Sequence, residues 1–143
     1  MNFLRSYENG SHKHVKSYFE NLISIAMADG KMDDSEYAFL LRVGEKLFTT
    51  EDEIKNILDH PKHYVFHAPA SKDARLELLK DLVAMLLVDG KILEEEIKMC
   101  RKFAIVLHYK PEIVVQIVNC LVKYASTEFD KYDVLAEIEE IAE

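Results

Sequence analysis

One turn is written twice into this chain. Ala28-Asp29-Gly30-Lys31-Met32-Asp33-Asp34-Ser35-Glu36 is matched sixty residues later by Val88-Asp89-Gly90-Lys91-Ile92-Leu93-Glu94-Glu95-Glu96. Both copies hold a small or apolar residue, Asp-Gly-Lys, one apolar residue and an acidic cluster ending in Glu. Each follows an apolar run and precedes an amphipathic one, so each reads as the end of one helix and the start of the next. Aligned over Leu22–Leu47 and Leu82–Leu107, the two stretches share Leu22/Leu82, Asp29/Asp89, Gly30/Gly90, Lys31/Lys91, Glu36/Glu96 and Leu47/Leu107, four of these pairs within eight residues at the turn. A one-residue gap extends the match to Glu53-Ile54 against Glu112-Ile113. Two related three-helix units follow from this pattern.

The apolar spacing supplies the helices. Residues 1–12 lack clear periodicity and read as an N-terminal tail or a lead-in turn. From about Lys13, Val15, Phe19, Leu22, Ile23 and Ala26 recur at intervals of three and four, up to Asp29-Gly30. Asp33 with Glu36 forms a capping box for a second helix, whose inner face reads Tyr37, Leu40, Leu41, Gly44 and Leu47. Thr50 with Glu53 opens a third, about 51–59, carrying Ile54, Ile57 and Leu58. Pro61 and Pro69 then interrupt the pattern. Ser71 caps a fourth helix, about 72–89, apolar on nearly every side of its end and therefore buried. A fifth carries Ile97, Cys100, Phe103, Ala104 and Leu107. Pro111 suits the first turn of a sixth, with Ile113, Val114, Ile117, Val118, Leu121 and Val122 facing inward. A last helix spans about 130–142. The expectation is an all-α single domain, residues 13–143, of about six to seven helices: repeat units at about 13–59 and 72–125, then the C-terminal helix.

The acids of the repeated turn admit two readings. In an EF-hand register, Asp29, Gly30, Met32, Asp33 and Glu36 take the fifth, sixth, eighth, ninth and twelfth places of a calcium loop. The first and third places are then Ile25 and Met27, or Met85 and Leu87, which offer no side-chain oxygen. A full EF-hand is excluded. The acids are either caps at the positive end of a helix, or Asp29, Asp33, Asp34, Glu36, Asp89 and Glu96 form a surface for a divalent cation (Ca or Mg) or a basic partner. Duplication favours a ligand, since capping does not require an Asp before the Gly. Leu93, which stands where the first copy has Asp33, removes a ligand from the second.

The paired motif resembles the tellurite-resistance TerB-like family. The resemblance lies in Ile25-Ala26-Met27-Ala28-Asp29-Gly30 with Glu36 and Met85-Leu86-Leu87-Val88-Asp89-Gly90 with Glu96, and spans about residues 13–125. It implies an all-helical fold of two related halves, a non-enzymatic role in tellurite or general stress response, and an acidic surface for metal ions. A related domain in a membrane-anchored DnaJ-like cochaperone implies docking of a protein partner, with or without metal. Val88 in place of Ala28 and Leu93 in place of Asp33 depart from a symmetric pair and leave the first copy as the better candidate.

Other chemistries find little support. The net charge of -8 disfavours nucleic-acid backbones and anionic membranes as partners. The longest apolar run, Leu82–Val88, is seven residues, too short to cross a membrane. Residues 1–16 lack the apolar run of a signal peptide, and a cytoplasmic location is the expectation. Cys100 and Cys120 fall on inner helical faces as reduced thiols. No Ser sits in a glycine-rich elbow and no glycine loop cradles phosphate. His60, His63 and His67, with His12 and His14, fall short of a zinc-ligand pattern because Pro61 breaks the helix that would align them. Tyr64-Val65-Phe66 is either a docking patch or a cover for the core.

Overall fold

The computed structural model describes residues 3–28, 32–47, 50–59, 67–88 and 90–143, for His12 the backbone alone. The chain is all-α. Eight helices occur among the described residues: α1 (Phe3–Glu8), α2 (His12–Ala26), α3 (Asp34–Leu47), α4 (Glu51–Asp59), α5 (Lys72–Leu86), α6 (Glu94–Val106), α7 (Pro111–Ala125) and α8 (Lys131–Ala142). They fall into two compact units, Met1–His67 and Ala68–Glu143.

The first unit holds α1 to α4. Helix α1 stands where a tail was expected, giving eight helices instead of six or seven. Its residues Phe3, Leu4 and Ser6 are buried. The Phe3 ring meets Tyr18 of α2 edge-on, with centroids 5.3 Å apart, and stacks on Tyr7 at 5.9 Å. Gly10, at φ +71°, ends this helix; Gly10 N–H donates to Tyr7 O and Ser11 N–H to Ser6 O. That pair of bonds is the Schellman arrangement, which needs a left-handed residue. In α2, Val15, Phe19, Leu22, Ile23 and Ala26 are buried as their spacing predicts.

Helix α3 is turned from its expected face. Phe39, Leu40, Val43 and Gly44 are buried, whereas Tyr37, Leu41 and Leu47 are only half-buried. Tyr37 lies at the rim, where its hydroxyl donates to Asp59 Oδ1 of α4 at 2.8 Å. Gly44 lets the helices close together: a β-carbon there would lie 2.7 Å from Ile54 Cγ2 of α4 and 3.1 Å from Phe19 Cζ of α2. In α4, Ile54, Ile57 and Leu58 are buried, and Thr50 Oγ1 accepts from Glu53 N–H at 3.4 Å.

The second unit holds α5 to α8. Ser71 caps α5 by accepting from Ala74 N–H at 3.2 Å. Arg75 Nη1 donates to the carbonyls of Pro69 and Ala70 at 3.0 and 2.8 Å, pinning the lead-in. From Asp81 to Leu87 every residue of the helix end is buried, in keeping with its all-round apolar pattern. The helix stops at Leu86, short of the expected 89. Helix α6 buries Met99, Cys100, Phe103 and Ala104. It ends in a second Schellman pair, His108 N–H to Ile105 O and Tyr109 N–H to Ala104 O, with His108 at φ +68°. Helix α7 buries Val114, Ile117, Cys120 and Leu121. Val122, expected inside, is 52% exposed. Asp130 Oδ1 caps α8 by accepting from Tyr132 N–H at 2.8 Å. Helix α8 packs on both α5 and α7, tied by Lys80–Glu139 at 3.1 Å and Lys123–Glu137 at 2.7 Å.

Candidate functional site

The two repeated turns were the sequence's candidate site, and their acids take different positions. In the first copy Asp29, Gly30 and Lys31 lie outside the described residues. Asp33 occupies the cap position of α3. Its Oδ1 accepts from Glu36 N–H at 2.8 Å and from the Ser35 hydroxyl at 3.0 Å. Glu36 Oε1 in turn accepts from Asp33 N–H at 3.4 Å. This is the reciprocal capping box expected from the spacing. The Glu36 N–H, followed by the Ser35 hydroxyl, holds the Asp33 carboxyl below its usual range, because hydrogen bonds to the charged form favour it. Asp34 and Asp33 are exposed and Glu36 is half-buried.

In the second copy Asp89 lies outside the described residues. Gly90 has φ +75° and its N–H donates to Leu87 O at 3.0 Å, the left-handed turn that the Asp-Gly pair suggests. Leu93 takes the cap position in extended conformation and has no side-chain oxygen to accept a bond. The box is therefore half of one: Glu96 Oε1 accepts from Leu93 N–H at 2.8 Å. Glu96 is only 1% exposed. Its counterpart Glu36 shares the bond but not the burial. Among the described residues no three His, Cys, Asp or Glu side chains are grouped so as to hold a metal ion.

The remaining candidates resolve individually. Cys100 and Cys120 are buried free thiols. Burial, and then the Glu96 carboxylate, raises the Cys100 thiol; burial, assisted by Glu137, pushes Cys120 up to about 12. Both are protonated at neutral pH, the unreactive form. His60 and His63 and the Tyr64–Phe66 segment lie outside the described residues, and His67 is exposed. No described helix is long and apolar enough to cross a membrane. Sequence reasoning missed the outer face of α7, where Val115 is 56% exposed beside Val122; the signal was an apolar set too wide for one buried stripe. The chain matches no protein-family model, no curated protein and no solved structure.

Proposed function

We propose that this chain is a non-enzymatic, TerB-like binding or scaffold module of tellurite or general stress response, and that it works by docking a protein partner without a metal. The reading rests on the resemblance of its paired Asp-Gly turns to that family. Its metal-independent form is carried by one observation: Asp33, Glu36 and Glu96 all spend carboxylate oxygens on helix starts. Capping accounts for acids at those positions without a ligand. Two deeply buried, protonated thiols support the non-enzymatic part, since the thiolate is the nucleophile.

A second reading retains a cation at the first copy. It draws on the exposure of Asp33 and Asp34 side by side at the start of α3, with Asp29 and Glu36 as further ligands. Calcium and magnesium titration separates the two. Under the docking reading, wild type and the Asp29→Ala/Glu36→Ala variant each melt at the same temperature with or without metal. A rise in wild-type melting temperature with metal that the variant lacks would establish the cation reading instead. The stress assignment is tested apart, by tellurite survival of cells lacking the chain; unchanged survival under tellurite and oxidative stress removes it.

A further inference from the structure

Helix α7 presents one outer face whose residues form a self-complementary pattern. Val115 and Val122 are 56% and 52% exposed. They lie seven residues apart, two helical turns, with half-buried Val118 and exposed Asn119 between them. From Ile113 to Val122, ten consecutive residues carry no charge, in a chain that is 31% charged. Depletion of charge with apolar residues at the centre marks interface cores. At the two ends of the stripe stand one acid, Glu112, and one base, Lys123, both exposed.

We infer that this face of α7 pairs with the same face of a second copy, antiparallel about a two-fold axis near Val118. In such a pair Val115 faces the partner copy's Val122, and each Glu112 faces a Lys123. The two pairings have midpoints within one residue of each other, about 1.5 Å along the axis, so one axis serves both. An isologous contact demands this kind of self-complementarity. A strongly acidic or basic partner would meet as much repulsion as attraction from the paired end charges, whereas a second copy matches both. Lys123 Nζ already lies 2.7 Å from Glu137 Oε1, yet its side chain is 59% exposed. It can therefore meet a second carboxylate. A single helix pair falls below the ~1,200 Å² lower end of standard interfaces, so association lies in the micromolar to millimolar range.

Sedimentation velocity of the full chain, from about 1 μM to about 1 mM, tests this. The wild type should shift from monomer to dimer across that range. Val115→Ser/Val122→Ser, at sites too exposed to unfold the helix, should weaken association at least tenfold while the circular dichroism spectrum stays unchanged. Glu112→Lys and Lys123→Glu should each weaken it alone, through facing like charges, and an equimolar mixture of the two should recover it. A wild type that stays monomeric throughout, serine variants that dimerise as wild type, or a mixture that fails to recover would each overturn the assignment.

Discussion

Replacing Gly44 with alanine puts the packing of the first unit to a quantitative test. The new methyl would sit 2.7 Å from Ile54 Cγ2, 3.2 Å from Ile54 Cγ1 and 3.1 Å from Phe19 Cζ, where carbon pairs rest at about 3.5–4.0 Å. Ile54 and Phe19 are both buried, so neither can swing into solvent. The helices themselves must separate. Overpacking of this sort costs about 1–3 kcal/mol. Alanine returns about 1 kcal/mol over glycine in a helix interior, leaving a net loss of about 1 kcal/mol at the middle of that range. Ile54→Ala removes both clashing γ carbons and alone costs about 2–5 kcal/mol. In that background only the 3.1 Å approach to Phe19 Cζ remains, so Gly44→Ala should destabilise less than it does in the wild type. The chain has no Trp, so urea unfolding followed by far-ultraviolet circular dichroism is the assay. A higher urea midpoint for Gly44→Ala in the wild-type background, or equal effects of the substitution with and without Ile54→Ala, would refute the close approach of α3 to α4.

Two further outcomes follow from the helix ends. Glu96→Ala strips the acceptor from the Leu93 N–H and should cost about 1–3 kcal/mol, read as a lower melting temperature; Glu36→Ala, whose bond is longer and sits in the more exposed turn, should cost less, and the reverse order would contradict the burial of Glu96. His108→Gly relieves a left-handed non-glycine residue and should stabilise by up to about 1 kcal/mol, measured by urea midpoint. Its failure to do so would show that the His108 side chain makes a compensating contact.

The fold was legible wherever a helix had one apolar stripe or a recognisable cap. Asp33, Thr50, Ser71 and Pro111 mark helix starts that stand within a residue of their expected places. Helix α1 escaped because six residues are too few to show a period, although Gly10 beside Phe3, Leu4 and Tyr7 held the signal of a short helix ending in a left-handed residue. The phase of α3 and α7 was harder. Leu41 and Val122 are as apolar as their buried neighbours, and which of them turns inward depends on where the facing helices lie. The end of α6 carries only the indirect signal of Pro111 beyond it, since the left-handed position is filled by His108 in place of glycine. At the candidate site the capping half of the reading was visible in the spacing. The burial of Glu96 was not, because it depends on tertiary packing rather than on anything in the turn.

The seating of α8 against α5 has a kinetic consequence. In the first unit the principal helix contacts join neighbours in sequence, α1 with α2, α2 with α3 and α3 with α4. Short loops close early and cheaply in entropy. The second unit closes on itself: Lys80 reaches Glu139 across 59 residues of sequence. Folding rates fall as contacts become less local, so the first unit should organise sooner. On the ribosome, α5 stays without its α8 partner until that helix has emerged. During that interval the surface of α5 that α8 covers is open to chaperones or to misassembly.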